Sequence, residues 1–451
     1  MKRLSCLLLL ASLPLLAEGE LPKAHVARID EVVAAAIEAK EIPGAVLVVG
    51  RNGKVVLEKV YGNRALVPVA EPMTLDTVFD LASLTKPVAT AASILALVEE
   101  GRLRLQDRVV TVLPEFGKGG GLRDKVTVED LLVHRAGLLP DDPMRLYVGT
   151  PAEIFARKHA QPLTGRPGEK FVYSDAGFEV LAEIVRAVSG KPLDVYSKER
   201  IFEPLGMKET GFLPLAGTAA IPLSRIAPTE VENGVPFRGV VHDPRARALG
   251  GVAGHAGLFS TASDLARYAA FLLGDARGPL SPATIAELTR PRVYGDLDVR
   301  ALGWDVSTSF STSRGDLFPP GSFGHTGWTG TSMWLDPETR TFVILLSNRN
   351  HPDESGNAQP VRSRVATIVA SALGGDPMKL RKAGERLADK VLASASASPA
   401  RGARPDARPA ATVAPPAPAE VLSGLDVLEA SGFAALAGKR IAVLTNQTGL
   451  T

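Results

Sequence analysis

The chain of 451 residues carries 51 Lys and Arg against 49 Asp and Glu, a formal net charge of +2. Without a dense basic run, that balance excludes an electrostatic nucleic-acid surface. Cys6 is the single cysteine, which excludes disulfides and thiolate zinc sites, while 45% hydrophobic content allows a large core and two or three domains.

The first residues, MKRLSCLLLLASLPLLAEGE, read as a secretory signal peptide over 1–19. Lys2 and Arg3 form a positive start, Leu7 to Leu16 an apolar run too short to span a membrane, and Leu15-Leu16-Ala17 a small-residue exit. An uncleaved signal-anchor is the other reading. Removal of Cys6 with the leader would also exclude a cysteine nucleophile. The expected location is periplasmic or secreted, with no transmembrane span after signal removal.

Val26, Ile29, Val33 and Ile37 recur at helical spacing, so residues 23–40 predict an amphipathic helix ended by Pro43 and Gly44. AVLVVG and KVVLEKVYG flank Arg51-Asn52-Gly53, the strongest short hairpin signal, because both turn residues need positive φ. Residues 84–100 are apolar almost all round and predict a buried helix with Gly101 as C-cap. From 105 to 300 the chain reads as mostly helical with long Gly/Pro-rich loops. TASDLARYAAFLL is one clear helix, capped by Thr261 with Asp264 three residues on. Strand signals return in TSMWLDP and RTFVILLSN, and 359–373 closes as a helix. Sheet pieces at both ends and helices between them predict an α+β domain over 20–375, an antiparallel sheet flanked by helices with an inserted helical region. Residues 376–420 turn to Ala, Pro, Ser and Arg, a composition that predicts a disordered linker. Order resumes at 421–451, with a helix from Leu425 to Leu436 and a strand from Ile441 to Leu444, too little for a core of its own.

Three short motifs carry chemistry. Ser83-Leu84-Thr85-Lys86 sets a lysine one turn beyond a serine at the start of the buried helix. A serine hydroxyl needs a base, and burial together with the positive helix end would lower the lysine pKa enough to supply one. The competing reading is a surface helix with Ser83 as N-cap, against which the all-apolar helix speaks. Tyr173-Ser174-Asp175 offers a phenol that passes protons where nearby cations depress its pKa; Tyr173 as a core aromatic is the alternative. Asp175 could receive a charge-assisted bond from Lys86, or cap the following helix. His325-Thr326-Gly327 has small residues that let a strand edge approach a substrate, with His325 and Thr326 holding its carboxylate or carbonyl side. A plain loop is the alternative.

In this order and spacing the three motifs resemble those of the serine β-lactamase and penicillin-binding protein superfamily, on the class C β-lactamase-related branch. LLVHRAGL at 131–138, GGVAGHAGLFSTASDLARYA at 250–269 and FDLASLTKPVATAASILALVEEGRLRLQD around Ser83 are similar to segments of that family, and the resemblance covers about 25–375. It implies that Ser83 is the acylated nucleophile, Lys86 its partner and Tyr173 the proton shuttle. Asp175, His325, Thr326 and Gly327 would contact substrate, and the backbone N–H groups of Ser83 and Trp328 would form the oxyanion hole. Asp175 stands where many members have Asn, and His325 where β-lactamases usually have Lys. An unperturbed imidazole titrates near pH ~6.5, so a carboxylate-bearing substrate would bind through protonated His325 and weaken as pH rises.

The implied activity is an exported serine hydrolase acting on peptidoglycan peptides or small acyl or ester substrates. A D-amino-acid peptidase or esterase ranks above a true β-lactamase, and an acylated sensor or pseudoenzyme is the non-enzyme alternative. No cofactor and no metal are expected. An α/β-hydrolase would need Gly-x-Ser-x-Gly, which is missing. His134, His242, Asp243 and His255 lack ligand spacing, and His134 and His255 read as structural. The tail GLDVLEASGFAALAGKRIAVLTNQTGLT is similar to the start of the NamZ-like exo-β-N-acetylmuramidase family, which implies a fused domain that removes terminal N-acetylmuramic acid.

Overall fold

Asn52 and Gly53 both take left-handed backbone, at φ 52° and 73°, so the tight turn forms where Asn-Gly predicts it. It joins β1 (Gly44–Arg51) to β2 (Lys54–Ala65). The computed structural model describes residues 20–397 except 216–219, 296 and 374–375. The signal-peptide reading at 1–19, the linker beyond 397 and the reading of 421–451 lie outside the described residues. The chain divides into two units, Met1–Ser398 and Pro399–Thr451, and only the first holds described residues.

The remaining strands of the main sheet are β3 (Glu71–Pro72), β4 (Val299–Arg300), β5 (Asp305–Ser307), β6 (Phe323–Thr326), β7 (Ser332–Asp336) and β8 (Thr341–Leu346). They form an eight-stranded sheet in the order β3-β2-β1-β8-β7-β6-β5-β4, with every described pairing antiparallel. Strands from both ends of the domain thus meet at the β1–β8 seam, where Val46 faces Leu346 and Val48 faces Ile344.

The period of two sorts the sheet into two cores. Val46, Val48, Ile344 and Leu346 face the helical region, packing with Leu84, Val88, Leu95 and Phe178. Leu47, Val49, Val343 and Leu345 face the other way, against Ile29 and Val33 of α1 (Lys23–Glu38) and Val361, Val365 and Val369 of the closing helix Gln359–Leu373. A sheet covered on both faces needs apolar residues at every position, and β1 and β8 are buried almost throughout. The α+β expectation with an inserted helical region holds.

Two expectations need correction. The helix read over 84–100 is three pieces: a 3₁₀ turn Ala82–Leu84, a π-helical segment Lys86–Ala91, then α2 (Ala92–Glu99). Pro87 lacks an N–H to donate, and π-segments of this kind recur at functional sites. The stretch read as linker from 376 opens instead with a helix, Pro377–Ala397. Leu387 and Val391 lie one turn apart and pack against the main core; averaging composition over 376–420 hid that spacing. Thr261 does cap the helix Ala262–Leu272, accepting from Asp264 N at 3.3 Å. The Asp264 carboxylate turns away to Glu209 N and the Thr210 hydroxyl.

Candidate active site

The nucleophile candidate sits on backbone held from two sides. Asp80 Oδ1 accepts from Ala82 N at 2.8 Å, and Ala82 takes φ 46°, an uncommon value for a residue with a Cβ. From the turn between β6 and β7, Thr329 Oγ1 donates to Asp80 O at 2.7 Å and Thr331 Oγ1 to Leu81 O at 3.0 Å. From the other side Leu81 N bonds Leu258 O, and Leu258 N bonds Thr85 Oγ1. Gly327 is needed for this approach: a Cβ there would stand 2.3 Å from Leu81 O and 2.2 Å from Thr331 Oγ1. Thus the His-Thr-Gly strand end and the serine turn are one clamped unit.

Lys86 is fully buried. Its Nζ donates to Ser83 Oγ at 2.9 Å and to His255 O at 3.2 Å, and it pairs with Asp175 Oδ1 at 2.6 Å. Nζ also lies 4.9 Å from the centroid of the Tyr173 ring. The Tyr173 phenol stands close enough to Lys86 and Ser83 for both to act on its proton. Burial would strip the Lys86 proton, but Asp175 and Tyr173 outweigh it and hold the lysine above its ordinary pKa. The expectation of a lowered lysine pKa is therefore wrong. Burial likewise raises the Tyr173 phenol against the pull of Lys86, so the expected depression is not found.

Asp175 opens the helix Asp175–Ser189, but Ser174 is its cap, accepting from Gly177 N at 3.2 Å. Of the two roles left open for Asp175, the charged bond to Lys86 is the one realised. Asp175 is not among the residues lining the cleft. His134 stacks on Tyr173 with ring centroids 4.5 Å apart. Its Nδ1 accepts from Ser174 N at 2.9 Å and its carbonyl from Val172 N at 2.9 Å. Burial, helped by Arg300 and Lys86, keeps this imidazole far below its ordinary pKa, hence neutral. It is the platform on which Tyr173 rests.

Ser83, Tyr173, His325, Thr326, Gly327 and Trp328 line one cleft of about 390 Å³. His325 is 5% exposed and its Nδ1 pairs with Thr326 O at 2.8 Å. Burial, then Arg300 and Lys86, push it well below its ordinary pKa. A histidine that charges near pH ~6.5 is thus not what this cleft offers; His325 is neutral.

The cation is elsewhere. Arg300 on β4 lines the same cleft and is 1% exposed. Its Nη1 faces Asp305 at 3.3 Å, while Nε and Nη2 have no hydrogen-bond partner among the described residues. Asp305 is itself divided among Arg300 and the hydroxyls of Thr308 and Ser311, at 2.8 and 2.7 Å. Arg362, from the closing helix, donates to Gly327 O and Thr331 O, both at 2.9 Å, and burial beside Arg349 draws its pKa to about 9. Arg349 Nε bonds Trp328 O at 2.7 Å and the guanidinium covers the indole at 4.4 Å. Three arginines surround the strand end that sequence reasoning credited to His325.

The β-lactamase family model matches residues 29–367. The chain belongs to the β-lactamase family. A protein of Salmonella agona (strain SL483), described as "Putative D-alanyl-D-alanine carboxypeptidase", is 33% identical over 348 residues, covering 68% of this chain and 79% of the relative. A penicillin-binding protein homologue from Caulobacter crescentus is 26% identical with TM-score 0.62, over 78% of this chain and 99% of its own. EstCE1, a hydrolase with promiscuous acyltransferase activity, is 24% identical with TM-score 0.63, over 76% and 99%. This β-lactamase family member is a serine hydrolase by family. Among the described residues no helix is long and apolar enough to cross a membrane.

Proposed function

We propose that this chain is a carboxypeptidase that forms an acyl-enzyme on Ser83 and releases a C-terminal D-amino acid from cell-wall-type peptides. The observation that carries the reading is the Lys86–Ser83 contact of 2.9 Å at the foot of a cleft whose buried cation, Arg300, lacks hydrogen-bond partners at Nε and Nη2. Ser83 Oγ attacks the scissile carbonyl and its proton passes to Lys86. Tyr173 relays a proton to the leaving nitrogen, so the C–N bond breaks as the ester forms. Water then cleaves the ester and restores the serine. Backbone N–H groups of Ser83 and Trp328 take the developing oxyanion. A free carboxylate on the departing residue suits the guanidinium of Arg300. Neutral His325 contributes shape there rather than charge.

Arg300→Gln is expected to lower kcat/KM by about 30- to 100-fold for a D-Ala-D-Ala peptide acid, the worth of one charged hydrogen bond. The matched C-terminal amide is expected to change only a few-fold. Equal losses for acid and amide would remove Arg300 from substrate recognition. A chromogenic cephalosporin and a short ester run beside them separate peptidase from β-lactamase and esterase action.

Lys86 accepts the serine proton only as an amine, so activity rises with pH, and Asp175 sets where. The carboxylate holds Lys86 above its ordinary pKa; taking that charge away lowers the pH at which the amine appears. Asp175→Asn is expected to move the rising limb of kcat/KM down by about one pH unit or more. An unmoved limb would mean that another group titrates.

The Lys2-Arg3 start and the apolar run that follows it support export. The likeness of 421–451 to NamZ-like proteins supports a fused activity on peptidoglycan sugars.

A further inference from the structure

The departing residue of the proposed reaction carries three groups on one carbon: the leaving nitrogen, the free carboxylate and a side chain. Tyr173 serves the first and Arg300 the second, and the third still lacks a partner. Phe310 stands where that partner belongs. It lines the same cleft as Ser83, Tyr173 and Arg300, and it is 48% exposed. A phenylalanine exposed singly on a surface needs no explanation; one held inside the reaction cleft does.

Its place is fixed from two sides. Phe310 N donates to Thr308 Oγ1 at 3.1 Å, and Thr308 N donates to Ser311 Oγ at 2.8 Å. The hydroxyls of Thr308 and Ser311 in turn donate to Asp305, the carboxylate that faces Arg300 at 3.3 Å. One turn therefore positions both the Phe310 ring and the partner of the guanidinium. On the other side, the Phe310 ring lies 5.1 Å from that of Tyr173, tilted by 37°, and 6.3 Å from that of Phe171. Phe171 also meets Arg300, whose guanidinium carbon is 5.5 Å from its ring centroid. An aromatic wall thus runs from the phenol to the cation.

Trp328 is a second exposed aromatic of the cleft, but it is placed differently. Arg349 covers its indole at 4.4 Å, and Glu354 accepts from its Nε1 at 3.0 Å. Its backbone N–H takes the oxyanion in the proposed reaction, which sets it beside the scissile carbonyl rather than the departing side chain.

We propose that Phe310 is a specificity-determining residue that receives the side chain of the departing D-residue, so that peptides ending in a large apolar D-residue are preferred. The inference rests on the carboxypeptidase reading given above. A hydrogen or a methyl covers little of the ring, whereas a branched or aromatic side chain takes apolar surface of both partners out of water.

The test compares peptide acids ending in D-Ala-Xaa, with Xaa as Gly, D-Ala, D-Leu or D-Phe, on the unmodified protein and on Phe310→Ala. In the unmodified protein kcat/KM is expected to rise about tenfold or more from Gly to D-Leu, the range that partial burial of one apolar side chain supplies. Phe310→Ala should bring that ratio to within about twofold of unity. A ratio near one in the unmodified protein overturns the proposal. So does a ratio that survives Phe310→Ala, even with an equal loss on every peptide, because a ring that only supports Tyr173 would behave in that way. If thermal unfolding shows that Phe310→Ala does not fold, Phe310→Gln decides by the same ratio, since it keeps a long side chain and loses the apolar face. Release of the terminal residue from none of the peptides defeats the carboxypeptidase reading itself, while release with a flat series defeats this inference alone.

Discussion

Lys86→Met is expected to lower kcat by about 10²–10⁴-fold, the range supplied by a positioned general base. Tyr173→Phe should cost a similar amount, and the double variant little more than either. The reason is geometric: Lys86 Nζ donates to Ser83 Oγ at 2.9 Å and lies 4.9 Å from the Tyr173 ring centroid, so the three groups serve one proton transfer and losing any of them stops it. Met matches the length of Lys and fills the same buried space. What it leaves behind is Asp175 without its cation, and that carboxylate is 18% exposed and can turn to water. Thermal unfolding of the two single variants separates lost folding from lost chemistry. Losses that multiply in the double variant would show two independent groups.

Ser83→Ala is expected to have the largest effect, a fall in kcat on the order of 10⁴–10⁶-fold. The other groups cannot substitute, because neither Lys86 nor Tyr173 can form the ester on which the second half of the reaction acts. The variant should keep its fold: Lys86 retains Asp175 at 2.6 Å and His255 O at 3.2 Å. Only the methyl-sized remainder of the hydroxyl changes at the cleft floor. Substrate binding should persist, since Arg300 and the β6 strand end are untouched, and KM or a binding isotherm checks this.

Much of the fold could be read because its signals are local. Asn52-Gly53 places the first hairpin through the φ values those residues accept. The even apolar runs of β1 and β8 announce a sheet covered on both faces, and Thr261 caps its helix as its sequence suggests. The serine, lysine and tyrosine were visible as motifs, since Ser83 and Lys86 stand in the opening helical turns and Tyr173 just before the cap of the helix Asp175–Ser189. Arg300 was not. It sits on a two-residue strand, 25 positions before His325, and its local sequence does not distinguish it from an arginine paired on the surface. Its meaning comes from burial and from Asp305 being divided among three donors.

The charge states escaped the sequence for the same reason. Lys86 was expected to lose its proton through burial and a helix end; a carboxylate 2.6 Å away reverses that sign. His325 was expected to carry the cleft's charge, and Arg300 beside it helps to forbid this. Both outcomes depend on neighbours far along the chain. At the C-terminal side, Leu387 and Val391 were in plain view but diluted by the Ala/Pro-rich stretch that follows them.

The central claim is that Ser83 carries the acyl group. Mass spectrometry of the protein after incubation with a fluorophosphonate tests it most directly, with peptide mapping and Ser83→Ala run in parallel. The account predicts one adduct per chain, located on Ser83, and no mass change in the variant. An adduct on another residue, or labelling that survives Ser83→Ala, would contradict it.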